Sequence, residues 1–160
     1  MLAIFLLALL SCRTEAPPSY IRITGAAPAL SDVPTSQALL VVFWASWCPP
    51  CREETPQLLA LAEDPPSGLK VAVFSHDQDM AAIESFLRGP PSPALHLRLD
   101  EGEAAARAFG VDKLPSSFLV VNGRLVARFT GPRTWKSAGM RRLLEKLMSE
   151  PAGTPSTPAN

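Results

Sequence analysis

Phe43-Trp44-Ala45-Ser46-Trp47-Cys48-Pro49-Pro50-Cys51-Arg52-Glu53-Glu54-Thr55-Pro56 decides the reading of this chain. Ahead of it, Leu39 to Phe43 is an unbroken apolar run, the mark of a strand buried on both faces, within a strand expected over Ala38 to Trp44. Behind it, Leu58, Leu59, Leu61 and Ala62 fall on one side of a helix expected from about Pro50 to Glu63, with Pro56 as a kink. The cysteines therefore stand where a buried strand runs out and a helix begins. A thiol attacks a disulfide only as thiolate, and a helix start, with its unpaired N–H groups and positive dipole end, favours that charge. Cys48 is placed as the attacking thiol. Cys51, one turn inward, is placed as the more buried resolving thiol, because a spacing of three brings the two sulfurs within bonding reach. Pro49 and Pro50 suit the first turn, where the N–H groups they lack have no helical partner. They also withhold donors from the Cys48 sulfur, and no His stands between the cysteines, which points to a reducing or intermediate potential.

Outward from this stretch, strand and helix alternate. A short strand is expected at Tyr20 to Thr24, a buried strand at Leu69 to Ser75, and a helix from Asp79 to Arg88 with Met80, Ile83, Phe86 and Leu87 at helical spacing. After the Pro90-Pro91 break come a strand at Leu95 to Leu99 and a short helix at Glu101 to Phe109. Ser117 to Val121 and Arg124 to Thr130 flank Asn122-Gly123, a hairpin signal because both residues tolerate positive φ. Thr134 is the expected cap of a last helix in which Trp135, Met140, Leu143, Leu144 and Leu147 face the core, with Gly139 weakening it. This order implies an α/β domain: a central mixed β-sheet with helices on both faces, the thioredoxin plan.

The 160 residues give room for one domain, and 47% apolar with 19% charged residues suits a packed core rather than disorder. Fifteen Lys and Arg balance fifteen Asp and Glu without a basic run beyond Arg141-Arg142, which excludes a nucleic-acid partner. Leu2 to Leu10 is too short to span a membrane but reads as the apolar core of an export signal. It ends in Leu9-Leu10-Ser11-Cys12, which resembles the lipobox of bacterial lipoproteins. That resemblance implies cleavage before Cys12, diacylglyceryl on its sulfur and an acyl group on its amino terminus, enough for stable anchoring. No Lys or Arg precedes the run, which leaves room for a start upstream. The expected organisation is a signal at 1–11, a lipid-anchored tether at 12–19, one domain at 20–149 and an unpacked Pro-rich tail at 150–160. Fully extended, the tether lifts the domain only about 25 Å at about 3.3 Å per residue, so partners are expected near the membrane on its extracytoplasmic side.

Three cysteines are then accounted for, one for lipid and two for exchange. A bond between residues three apart closes a tiny loop and stabilises little, which favours chemistry over a structural staple. Structural zinc wants four ligands, whereas this chain has no second cysteine pair and its two histidines, His76 and His96, are scattered; no metal is expected. Transient Cu(I) handling by the same thiolates is the alternative reading. No bound cofactor is needed beyond the cysteine pair itself.

The active-site stretch resembles the TlpA, ResA and DsbE group of thioredoxin-like proteins, including the acid three after the second cysteine, Glu54, and the proline five after it, Pro56. Gly110-Val111-Asp112-Lys113-Leu114-Pro115-Ser116-Ser117-Phe118 matches the segment carrying the group's cis-proline, and Val71-Ala72-Val73 precedes Asp77, near where some members place a buried acid. The resemblance covers about Leu39 to Leu147. It implies a cis Leu114-Pro115 bond facing the cysteines, an exposed apolar lip at Trp47, and reduction of disulfides in exported proteins, often apocytochromes c or copper-centre assembly factors. A membrane electron donor and a monomeric chain go with that reading. Val42 stands where cytoplasmic thioredoxins keep a buried Asp, which leaves Glu54 and Asp77 as the candidate acids.

Overall fold

The computed structural model describes residues 37–149. The expected strand at Tyr20 to Thr24, the signal, Cys12 with its tether, and the tail lie outside these residues. Among the described residues, nine strands and α-helices follow one another: β1 (Ala38–Trp44), α1 (Pro49–Glu63), β2 (Leu69–Ser75), α2 (Met80–Leu87), β3 (Arg98–Leu99), α3 (Ala104–Phe109), β4 (Ser116–Val121), β5 (Arg124–Thr130) and α4 (Ala138–Ser149). The strands form one sheet in the order β3-β2-β1-β4-β5. β1 lies at its centre, parallel to β2 and antiparallel to β4, so the sheet is mixed.

Alternation along β1 distributes the core. Leu40, Val42 and Trp44 pack with Leu58 and Leu61 of α1, Ile83 of α2 and Leu144 and Met148 of α4. Val41 and Phe43 point the other way, with Ala72, Phe74 and Phe118, onto Ala105, Ala106 and Phe109 of α3. A strand covered on both faces must be apolar at every position, which is why Leu39 to Phe43 carries no polar residue. Each fully buried Leu, Val or Phe there contributes about 1.5–3 kcal/mol. The hairpin turn forms as expected, with Asn122 at φ 50° and Gly123 at φ 76°.

Three expectations need correction. The strand expected at Leu95 to Leu99 shrinks to Arg98–Leu99, because Pro93–Leu95 forms a 3₁₀ turn and His96 takes a left-handed backbone before pairing with β2 begins. The helix expected from Glu101 breaks at Gly102 and Glu103, both at positive φ, and α3 starts only at Ala104. Its start is capped from outside: the Asp100 carboxylate accepts the N–H groups of Ala105 and Ala106, each at 2.8 Å. Finally, Thr134 does not cap α4. Ser137 does, its Oγ accepting the Met140 N–H at 3.2 Å, while the Thr134 carbonyl accepts the Ser137 N–H in the preceding turn. Leu143 is 40% exposed instead of facing the core, and Trp135 is buried from the turn rather than from the helix.

Candidate functional site

Cys48 and Cys51 are joined as a disulfide with their Cα atoms 5.3 Å apart. The pair sits where the sequence placed it, at the start of α1: Cys48 is the residue before the first helical turn, in extended conformation, and Pro49 and Pro50 fill the first helical positions. Cys51 is wholly buried (0%) and its backbone is pinned. Its carbonyl accepts the Trp44 indole N–H at 3.1 Å and the Thr55 hydroxyl at 2.9 Å. Cys48 is 5% exposed, so Cys51 is the more buried of the two, as expected. Cys48 is nonetheless not sealed. It forms part of the wall of an open groove of about 380 Å³ with Trp47, Pro49, His76, Glu103, Val111, Asp112, Lys113 and Leu114.

Trp47 forms the expected lip, 62% exposed beside Cys48, whereas Trp44 lies in the core. The Leu114-Pro115 bond is cis, Leu114 lies in the groove wall, and the Pro115 carbonyl accepts the Gly131 N–H at 2.8 Å. His76, one of the two scattered histidines, carries no signal in the sequence for its position. It stands in the groove because β2 ends one residue earlier, with its ring nitrogens each 3.7 Å from a carboxylate, Asp100 on one side and Glu103 on the other.

The two candidate acids are placed differently. Glu54, three residues after Cys51 and therefore adjacent to it on the helix surface, is 2% exposed. Its Oε1 accepts the Trp135 indole N–H at 2.5 Å and the Arg133 backbone N–H at 3.0 Å, while Oε2 has no hydrogen-bond partner among the described residues. Burial pushes its carboxyl up from 4.5 to about 7; the Trp135 and Arg133 hydrogen bonds and the Arg133 charge pull the other way and are outweighed. Asp77 is also buried, but it neither caps α2, a role taken by Asp79, nor stands as a solvated loop acid. Its carboxylate accepts from Ser46 and Ser75. Neither acid belongs to the groove wall. Among the described residues, no group of three or more His, Cys, Asp and Glu side chains could hold a metal ion, and no helix is long and apolar enough to cross a membrane.

A buried cysteine behind a nearly buried one at a helix start, beside a groove with an apolar lip, is an arrangement for passing a disulfide to or from another chain. Comparison with known proteins agrees. The family model described as Redoxin matches residues 22–144. The thiol:disulfide interchange protein HelX of Rhodobacter capsulatus is 33% identical over 123 residues, covering 75% of this chain and 68% of that protein. The thiol:disulfide interchange protein CycY of Rhizobium leguminosarum is 36% identical over 128 residues, covering 78% and 68%. Among solved structures, a putative thiol:disulfide interchange protein DsbE from Chlorobium tepidum superposes with a TM-score of 0.60 at 26% identity, over 72% of this chain and 82% of that one.

Proposed function

The chain belongs to the Redoxin family and is a thiol-disulfide oxidoreductase, and from that premise we propose that it works as a reductase of protein disulfides, Cys48 attacking and Cys51 resolving. The observation that carries this is the asymmetry of the pair: Cys48 reaches the groove, while Cys51 is enclosed behind it. In the dithiol state the Cys48 thiolate attacks one sulfur of the substrate disulfide. A mixed disulfide forms, and the other substrate sulfur leaves as a thiolate that takes up a proton. Cys51, deprotonated in turn, attacks the Cys48 sulfur, releases the second substrate thiol and closes the Cys48–Cys51 bond. The substrate gains two electrons and two protons, and a dithiol donor at the membrane restores the pair.

The direction towards reduction is supported by Pro49 and Pro50, which bring no N–H to the Cys48 sulfur. Glu54 is the supporting acid of choice for proton exchange with Cys51. It is buried, adjacent on the helix, and changes protonation near neutral pH. Trp47 and Leu114, ahead of Pro115, offer the apolar and backbone surface on which an extended substrate segment lies. Exported proteins with cysteine pairs, apocytochromes c foremost, are the substrates, which places the chain in cytochrome c maturation outside the cytoplasm. Leu9-Leu10-Ser11-Cys12 supports a lipid anchor at Cys12, with the domain working as a monomer on 20–149.

The test is turnover and trapping. The full chain is expected to speed reduction of insulin by dithiothreitol, Cys48→Ser to abolish this, and Cys51→Ser to accumulate a mixed disulfide through Cys48. Turnover by Cys48→Ser, or trapping through Cys51 in Cys48→Ser instead, rejects the assignment.

A further inference from the structure

Helix α1 opens without a side-chain cap: Cys48 occupies the capping position but its side chain makes no capping bond, and Pro49 and Pro50 have no N–H to donate to one. At this end the backbone supplies a Cys48 N–H bond to the Ala45 carbonyl at 3.3 Å and an Arg52 N–H bond to the Cys48 carbonyl at 3.1 Å. The turn that delivers the thiol is therefore weakly held by its own helix. What holds it comes from the end of β2. There the His76 N–H donates to the Trp44 carbonyl at 2.9 Å, extending the link between β1 and β2 beyond the strands. One residue on, Asp77 Oδ2 accepts the Ser46 backbone N–H at 2.9 Å and Oδ1 accepts the Ser46 hydroxyl at 2.6 Å. The Ser75 hydroxyl donates to Asp77 Oδ2 at 2.6 Å, and the Asp77 N–H donates to Ser75 Oγ at 3.0 Å.

We infer that Ser46 and Asp77 form a positioning clamp that fixes the turn carrying Cys48 and so sets its rate of attack, Asp77 acting through Ser46 and not as a proton acceptor for the sulfurs. Ser46 is two residues before Cys48, and both of its polar groups end on this one buried carboxylate. Hydrogen bonds to a carboxylate are shorter and roughly twice as strong as neutral ones. Both oxygens of Asp77 are already engaged, and the residue lies outside the groove wall. Attack on a disulfide needs the nucleophile in line with the bond that breaks, and a misplacement of about 1 Å costs up to about a hundredfold in rate. Loss of the clamp acts on that alignment.

The inference rests on Cys48 as the attacking thiol, and its test separates the two. The reduced full chain, Ser46→Ala, Asp77→Asn and the double variant are reacted with a small aromatic disulfide across the neutral pH range. Each single variant is expected to lower the high-pH plateau rate by about tenfold while the midpoint of the pH profile stays in place. The double variant is expected to be no slower than the slower single one, because one interaction is removed twice. Ser46→Thr, which restores the hydroxyl, is expected to recover most of the rate. A wild-type plateau in Ser46→Ala, effects that multiply, or a midpoint moved by Asp77→Asn alone overturns the clamp. Should Asp77→Asn fail to fold, Ser46→Ala and Ser46→Thr decide the question, since both keep the Ser46 N–H bond. Full insulin turnover by Cys48→Ser removes the thiol assignment and the clamp together; an inactive Cys48→Ser with an unaffected Ser46→Ala removes the clamp alone.

Discussion

Glu54→Gln isolates the effect of burying a carboxyl with one oxygen unpartnered. The folded chain holds that carboxyl at about 7 against 4.5 for the free group. Below 4.5 both folded and unfolded chains carry the proton, and Glu54 makes no pH-dependent contribution. Between 4.5 and about 7 the unfolded chain releases its proton while the folded one keeps it, so stability falls as pH rises. Above about 7 both are ionised and the loss is complete. At about 1.4 kcal/mol per pH unit over that interval, the loss comes to about 3 kcal/mol. Glutamine keeps an oxygen for Trp135 and Arg133 but does not titrate. It places an amide N–H where Oε2 now lacks a partner, a cost of about 1–3 kcal/mol that is the same at every pH. The assay is urea unfolding of wild type and Glu54→Gln from acid to mildly alkaline pH. For a slope of about 2 kcal/mol per M, the gap between the two midpoints should shift by about 1.5 M in favour of the glutamine variant as pH rises through the interval. Other carboxylates titrate equally in both proteins and cancel. A gap that stays the same at every pH refutes the reasoning.

Trp135→Phe removes one of the two donors to Glu54 and is expected to lose about 1.5–3 kcal/mol at alkaline pH, where the carboxylate is charged, and less in acid, where it is neutral. Urea midpoints at the two pH values check it, and an equal loss at both would count against a charged acceptor. Gly123→Ala meets no atom within 4 Å of the added Cβ, yet holds φ at +76°. It should cost about 1 kcal/mol from backbone alone, read as a lower unfolding midpoint with unchanged insulin turnover.

The central features were legible because they follow from local chemistry. An unbroken apolar run of strand length marks a strand covered on both faces, and a cysteine pair enclosing two first-turn prolines marks a helix start; β1, α1 and the placing of Cys48 and Cys51 follow from these. Asn122-Gly123 fixed the hairpin for the same reason. Illegible were features set by distant partners. Asp100 caps α3 from across a break at Gly102 and Glu103, so helical periodicity read the helix three residues early. Trp135 fits helical spacing, but its indole is drawn to Glu54, eighty-one residues away in sequence, and the helix begins after it. Asp77 and Glu54 were both visible as acids, yet only tertiary contacts separate a carboxylate saturated by serine donors from one left half-unpaired. His76 and Ser46 carried no signal at all. Each owes its position to where β1 and β2 end beside one another.

The most direct test of the account is competitive alkylation of the reduced full chain under native conditions, with each cysteine followed separately by peptide mass. Cys48, on the groove wall, is expected to be modified at least about tenfold faster than Cys51, as accessible and enclosed thiols differ. Modification of Cys51 first, or of both at equal rates, would contradict the assignment of attacking and resolving thiols on which the mechanism stands.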